Sequence, residues 1–206
     1  VIAAKAKELG SPAYKVIQAG AKVLGNNKDG IDFSLEDDYY GDTRFHIPFI
    51  AWYQVMNASL ALTTMEVLKD RIPVTMEQLQ AGIANTRWQG RMETILPGVI
   101  VDGAHNEDGV RRFVETAERF QKEYPLTLLF SAVNDKDYQD MIHTICSRIK
   151  FRKVVTTEVG GYREVPSAEL AEIFCKEGCK DVGNSDNIEE AFHMAHEAKG
   201  EDGMLF

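Results

Sequence analysis

A β-branched run that ends in a glycine-containing polar turn constrains the fold of this chain most. Val-Ile-Val at 99–101 is followed by Asp-Gly-Ala-His-Asn at 102–106, and helix-periodic apolar residues run from 108 to about 124. This order predicts a strand, a tight turn and an amphipathic helix. Open α/β sheets bind ligands where a parallel strand ends and the chain turns into a helix. We therefore expect the turn at 102–106 to border a ligand site.

The second half of the chain alternates predicted strands with predicted helices. Helix-periodic segments at 108–124, 137–150, 167–177 and 188–198 separate apolar strand-like segments at 98–101, 126–132, 152–157, near Val182 and at 203–206. Such alternation predicts right-handed βαβ units and a mostly parallel sheet.

The first half mixes shorter elements. A helical start, a short element at 13–17 and a loop at 25–30 precede a predicted β-hairpin, a long helix and a second helix that opens on a capping-box spacing. The hairpin strands are 31–35 and 44–49 around an acidic turn, and the helices are 49–69 and 75–85. The composition changes at 87–91, so we expect a domain boundary there, between residues 1–87 and 88–206.

Charge and cysteine content exclude some classes of protein. The net charge of −9 is spread along the chain, which favours an acidic surface and argues against nucleic acid as a partner. No apolar run has the length of a membrane span, and the N-terminus lacks a signal pattern, so no membrane partner is expected. Three cysteines form no disulfide framework, which favours a reduced, cytoplasmic setting.

One pattern resembles a zinc site and is discounted. Cys175 and Cys179 are followed by His193 and His196, but the spacing matches no regular zinc motif. The two histidines also fall on the polar side of the predicted helix at 188–198. We therefore predict no metal ligands in this chain.

Four short motifs carry a family resemblance. They are Q-x-x-N-x-x-x-A at 54–61, W-x-G-R-x-E at 88–93, D-G-A-H-N at 102–106 and, more weakly, N-D-K-D at 134–137. In this order and spacing they resemble folylpolyglutamate synthase/dihydrofolate synthase, a branch of the Mur ligase superfamily. The resemblance implies the end of a P-loop-type ATPase domain at 1–87. It implies a mostly parallel, Rossmann-like Mur ligase C-terminal (glutamate ligase) domain at 88–206.

The resemblance also assigns roles to single residues. It implies ATP binding by Asn57 at the adenine, Arg91 at the phosphates and Asp102 at the ribose, and L-glutamate binding by His105. Gln54 and Lys136 are further candidates. Without the resemblance, Asp102 is a helix cap and Arg91 a surface ion-pair partner. Gln54 and Asn57 are then ordinary helix polar residues, and Lys136 belongs to a helix start capped by Asp137.

The implied reaction is ATP-dependent amide formation. ATP phosphorylates a carboxylate of dihydropteroate or a folate, and L-glutamate attacks the acyl phosphate in a monomeric cytoplasmic enzyme. No G-x-x-x-x-G-K-[ST] loop occurs in the chain, which starts without methionine and stops as a strand begins. We therefore expect an inactive fragment, with the P-loop, the Mg²⁺ ligands and the catalytic lysine outside it.

Three other functions are alternatives to this ligase reaction. A cell-wall Mur-type amide ligase shares fold and mechanism, although its corresponding loop usually differs from D-G-A-H-N. A non-catalytic nucleotide-binding module is also compatible with these residues. A dehydrogenase-type Rossmann domain is disfavoured, because no G-x-G-x-x-G turn follows the strand at 99–101.

Overall fold

The computed structural model describes residues 2–14, 20–27 and 30–206, which fall in two compact units divided between Arg87 and Trp88. Of the short element expected at 13–17, residues 15–17 lie outside the described ranges. Within these ranges, no helix has both the length and the apolarity needed to cross a membrane.

The first unit combines a small antiparallel sheet with helices. Its elements are α1 (Ile2–Glu8), β1 (Ala21–Asn27), β2 (Gly30–Leu35), β3 (Arg44–Ile47), α2 (Tyr53–Val67) and α3 (Met76–Ala84). The predicted hairpin is confirmed and consists of β2 and β3. β1 pairs antiparallel with the other side of β2, so the strand order is β1-β2-β3. The prediction of a loop at 25–30 is wrong for residues 25–27, because β1 continues through Asn27. The register of β1 against β2 shifts between Val23 and Gly25.

Aromatic side chains of the sheet form the core of this unit. Phe33 and Phe45 lie with ring centroids 5.7 Å apart, and both are buried together with Val55 and Leu62 of α2. Helix α2 begins at Tyr53 rather than at residue 49, because the apolar residues before it are buried without being helical. The capping box of α3 is confirmed, since Thr75 and Gln78 exchange side-chain-to-backbone hydrogen bonds.

The second unit, described throughout, is an α/β sheet with helices on both faces. Its strands are β4 (Glu93–Leu96), β5 (Val99–Val101), β6 (Leu126–Phe130), β7 (Phe151–Thr156), β8 (Val182–Asn184) and β9 (Met204–Leu205). Its helices are α4 (Glu107–Phe120), α5 (Tyr138–Arg148), α6 (Ser167–Lys176) and α7 (Ile188–Lys199). The strand order is β4-β5-β9-β6-β7-β8, and only β4 runs antiparallel to its neighbour. The predicted mostly parallel sheet is confirmed.

Alternation along β7 places helices on opposite faces of this sheet. Val155 packs with Ala191 and Ala195 of α7, whereas the Thr156 hydroxyl donates to the Ser167 carbonyl at the start of α6. Successive strand residues point to opposite faces, so α6 and α7 cover different sides. The carboxyl ends of the parallel strands share one edge, which brings the turn after β5 and the loops after β6 and β7 to that edge.

Candidate functional site

The Asp102 side chain organises the turn after β5. One carboxylate oxygen, Oδ2, accepts the Met92 backbone N–H at 2.9 Å, and Oδ1 accepts the Ala104 N–H at 2.9 Å. A carboxylate oxygen has two lone pairs, so each oxygen retains one for a ligand. Asp102 thus connects the turn to a segment ten residues earlier and still presents acceptors.

Gly90 and its neighbours complete this connection. The Gly103 N–H donates to the Gly90 carbonyl at 2.7 Å, and the Glu93 carboxylate accepts the Gly90 N–H at 2.9 Å. Gly90 has φ +66° and the buried Met92 has φ +50°. A left-handed conformation costs a non-glycine residue about 1–2 kcal/mol, which the burial of Met92 and its bond to Asp102 offset. The W-x-G-R-x-E and D-G-A-H-N motifs therefore form one local structure.

Arg91 supplies positive charge beside Asp102. Burial raises the pKa of the Asp102 carboxyl, although the N–H groups of Met92 and Ala104 and the charges of Arg91 and His105 act in the opposite direction. Within residues 2–14, 20–27 and 30–206, no carboxylate forms an ion pair with the half-exposed Arg91 guanidinium. Its forked donors are therefore available to an anionic ligand.

His105 is exposed, and one of its ring nitrogens forms a hydrogen bond within the turn. Its Nδ1 donates to the Gly103 carbonyl at 2.8 Å, because a carbonyl oxygen can only accept. The neutral ring then presents a lone pair at Nε2, whereas the protonated ring presents a second N–H there. A carboxylate ligand at Nε2 therefore requires the protonated ring, and an ammonium ligand requires the neutral ring.

Asn106, rather than Asp102, caps the helix that follows. Its Oδ1 accepts the Gly109 N–H at 2.8 Å, and α4 begins at the next residue. The alternative interpretation of Asp102 as the cap of this helix is wrong. The cap residue lies four positions later, which leaves Asp102 to join the two motifs.

The loop after β6 is anchored to the loop after β7. Asp135 forms an ion pair with Arg163 at 2.8 Å, and the Asn134 N–H donates to the Arg163 carbonyl at 2.7 Å. Asp137 caps α5 by accepting the Asp140 N–H. Lys136 lies between these anchors, is exposed, and has no ion pair with any described residue. The anchored loop therefore presents an unpaired cation at the edge that carries Asp102.

A small cavity lies against the turn. Its volume is about 120 Å³, and Asp102 and Ala104 line it together with apolar side chains of α4, β6 and α5. Pockets that enclose whole small-molecule ligands measure about 300–1,000 Å³. This cavity is therefore large enough for one chemical group of a ligand. A larger open hollow, lined by Pro125 and Lys150, lies at the amino ends of β6 and β7 and contains none of the predicted site residues.

In the first unit, Gln54 and Asn57 contact each other on α2. Asn57 Nδ2 donates to Gln54 Oε1 at 2.7 Å, which confirms that they share a helix face. Gln54 is 8% exposed, whereas Asn57 is exposed. This contact orients the Asn57 amide and leaves its carbonyl oxygen and second N–H for a ligand.

The discounted zinc pattern is dispersed. His193 and His196 are exposed on α7, and Cys175 is exposed on α6. Among the residues that the structure describes, no group of three or more His, Cys, Asp or Glu side chains is arranged to hold a metal ion. Sequence reasoning gave Arg163 no role. No residue pattern around Arg163 indicates that it pairs with Asp135.

Comparisons with known proteins extend these observations. The chain matches the family described as Mur ligase, glutamate ligase domain, over residues 90–206. It is 36% identical over 126 residues to the dihydrofolate synthase/folylpolyglutamate synthase of Bacillus subtilis. The aligned region covers 58% of this chain and 29% of that protein.

Solved structures show the same fold. The Mycobacterium tuberculosis folylpolyglutamate synthase complexed with ADP and AMPPCP superposes with a TM-score of 0.78 at 23% identity, and covers 100% of this chain and 48% of that one. Escherichia coli FolC in complex with DHPP and ADP gives a TM-score of 0.75 at 19% identity, with 99% and 46% covered. The chain thus spans about half the length of these proteins. With the family match over residues 90–206 and the joined motifs of its turn, the chain belongs to the Mur ligase family through its glutamate ligase domain.

Proposed function

We propose that this chain is the later part of an ATP-dependent ligase that adds L-glutamate to dihydropteroate or to folates. The observation that carries the proposal is the turn at 102–106, where Asp102 joins both motifs beside Arg91 and His105. The similarity to the Bacillus subtilis enzyme supports the same substrates. In this proposal residues 1–87 are the later part of the ATPase domain, and 88–206 the glutamate ligase domain.

ATP is bound through three residues in this proposal. Arg91 donates to phosphate oxygens, for which a permanently charged fork without an ion pair to any described residue is suited. Asp102 accepts from ribose hydroxyls through the lone pairs that its two backbone contacts leave open. Asn57 pairs with the adenine edge, because an amide offers the donor and the acceptor that adenine requires. Gln54 orients the Asn57 amide.

L-Glutamate is bound at the same turn through His105. Its exposed Nε2 donates to a glutamate carboxylate when the ring is protonated, while Nδ1 stays on the Gly103 carbonyl. Lys136 faces an anionic group of the substrate or the acyl phosphate, since its loop is anchored on both sides and its charge has no ion pair in the described part of the chain. Hydrogen bonds around each residue hold its backbone in place, which favours positioning of the ligand.

The reaction joins these roles. ATP phosphorylates the substrate carboxylate, and the glutamate amine displaces phosphate from the acyl phosphate to form an amide. Mg²⁺, which residues outside this chain would hold, would neutralise charge on the transferring phosphoryl group. The chain lacks the P-loop motif and spans about half of its matched structures. By itself it is therefore expected to be inactive, and the complete protein is proposed as a cytoplasmic monomer.

A substrate panel tests this proposal. The complete ligase is incubated with ATP, Mg²⁺ and L-glutamate and with dihydropteroate, tetrahydrofolate or a UDP-linked muramoyl peptide, and the products are identified by mass. We expect one added glutamyl residue on a pteroate or folate acceptor, with stoichiometric ADP. Addition to the muramoyl peptide alone would instead assign the chain to a cell-wall ligase. Nucleotide binding without any ligation would assign it to a non-catalytic module.

A further inference from the structure

Two cysteines that are distant in sequence lie sulfur to sulfur in the second unit. The Sγ atoms of Cys146 and Cys179 are 3.6 Å apart, although 33 positions separate the residues. Cys146 is in the last turns of α5, and Cys179 lies three residues after Lys176, the last residue of α6. Both are free thiols of intermediate exposure, so small reagents reach them. A disulfide bond measures about 2.05 Å, so the sulfurs need to approach by about 1.5 Å.

The position of Cys179 is fixed by the end of α6. The Gly178 N–H donates to the Cys175 carbonyl at 3.0 Å, and the Cys179 N–H donates to the Phe174 carbonyl at 3.1 Å. These two bonds, with Gly178 at φ +92°, form a Schellman motif. Phe174 is fully buried, so the motif is held against the core. Cys179 therefore cannot move away from α5 without breaking the helix end.

A second contact holds α5 against the same helix end. His143, three residues before Cys146 and therefore on the same face of α5, donates from Nδ1 to the Glu177 carboxylate at 2.8 Å. Ile142 and Ile145 of α5 are buried. Anchored elements therefore carry both sulfurs and hold them at contact distance.

We propose that Cys146 and Cys179 are a redox modification site, at which a small-molecule disulfide converts the two thiols into a reversible intrachain disulfide. The proposal is independent of the ligase function, since the pair lies at the α5–α6 contact and includes none of the nucleotide or glutamate residues. Reversible disulfides of this kind are the type found in reducing compartments.

The two thiols have different roles in the exchange. The contact between the Cys146 and Cys179 sulfurs lowers the pKa of Cys179 and raises the pKa of Cys146. The Cys179 thiolate therefore attacks the small disulfide first, forming a mixed disulfide and releasing one small thiolate. Cys146 then attacks the Cys179 sulfur, and its proton leaves with the second small thiol. The protein loses two electrons and two protons, which the reagent gains as its disulfide becomes two thiols.

Peptide mapping tests the proposal directly. The chain is incubated with oxidised glutathione, free thiols are alkylated, and the digested peptides are identified by mass spectrometry. We expect a cross-linked peptide pair that contains Cys146 and Cys179, lighter by two hydrogen atoms than the two thiol peptides, and an alkylated Cys175. Dithiothreitol should remove the cross-link. A cross-link to Cys175, or glutathione bound to Cys175 while Cys146 and Cys179 remain alkylated thiols, would overturn the proposal.

Matched variants add a second measurement. Cys175→Ser should form the same cross-link as the wild type, and its melting temperature should rise on oxidation, because the cross-link restricts the unfolded chain. Cys146→Ser should stop at a stable Cys179–glutathione mixed disulfide and show no such rise. Equal melting behaviour of these two variants after oxidation would contradict the assignment, and the wild-type peptide map does not depend on either variant folding.

Discussion

The Asp102 carboxylate accepts the backbone N–H of Met92 at 2.9 Å, across ten residues of sequence. Met92 is buried and in the left-handed region, so the bond holds a backbone conformation that is otherwise unfavourable. The same carboxylate also accepts the N–H of Ala104, two residues later in the same turn. A residue proposed to bind nucleotide therefore also organises the two segments that carry Arg91 and His105.

Replacing Asp102 by Asn should change how stability depends on pH. Burial raises the pKa of Asp102 above its ordinary value, so the folded state binds this proton more tightly than the unfolded state. Its contribution to stability is therefore greatest below the ordinary pKa and is lost as pH rises through the raised pKa. The free energy of unfolding is measured with urea for both proteins across the acidic range. The wild-type value should exceed that of Asp102→Asn most at low pH, and this difference should shrink as pH rises.

Asp202→Asn is the matched control for this measurement. The Arg152 guanidinium donates to Asp202 and holds its pKa below the ordinary value. The pH dependence of stability is therefore opposite to that at Asp102. The free energy of unfolding of the wild type should exceed that of Asp202→Asn by less as pH falls. The same direction of change in both variants would refute the proposed burial effect at Asp102.

Arg91→Ala should impair the use of ATP by the complete ligase. Loss of one charge-assisted contact costs about 1.5–3 kcal/mol, so KM for ATP should rise roughly ten- to hundredfold. Steady-state kinetics in ATP give this value. Arg119→Ala, on the exposed C-terminal end of α4, is the control and should retain wild-type kinetics. Unchanged ATP kinetics in Arg91→Ala would remove Arg91 from the nucleotide site.

Asn57→Ala should weaken the discrimination between ATP and GTP. The Asn57 amide is oriented by Gln54, and one neutral hydrogen bond contributes about 0.5–1.5 kcal/mol. The ratio of kcat/KM for ATP to that for GTP should therefore fall by roughly three- to tenfold. Asn85→Ala, which loses a helix-end contact to the Ala81 carbonyl, should keep the wild-type ratio. A preserved ratio in Asn57→Ala would argue against an adenine contact.

Lys136→Met should lower ligase activity without lowering stability. Lys136 is exposed and has no ion pair in the described part of the chain, so the fold gains little from its charge. Turnover and thermal melting are measured on the same preparation, with the exposed Lys122→Met as control. A lower melting temperature with normal turnover would identify Lys136 as structural.

Local chemistry explains which elements were predictable from sequence. The spacing of Thr75 and Gln78 predicts the capping box of α3. The period of the apolar residues and the glycine of the turn predict the strand, turn and helix at 99–120. The parallel sheet follows from the alternation of strands and helices. The motif residues Asp102 and His105 were identified by resemblance, and their hydrogen-bond partners were not.

Tertiary contacts explain what the sequence did not reveal. β1 contains Gly25 and consecutive asparagines, which are typical of a loop, yet pairing with β2 makes it a strand. β4 has only four residues and pairs antiparallel with β5 through a tight turn. The bond from Met92 to Asp102 joins residues whose spacing has no local period, so no pattern in the sequence predicts it.

The measurement that tests the account most directly is the pair of KM values for L-glutamate and ATP in His105→Ala of the complete ligase, together with a thermal melt. His105 is exposed and makes one contact within its own turn, so the variant should keep the wild-type melting temperature. The account predicts a KM for glutamate raised about tenfold or more, as for loss of a charge-assisted bond, and a KM for ATP close to wild type. A destabilised variant with normal glutamate KM would contradict it.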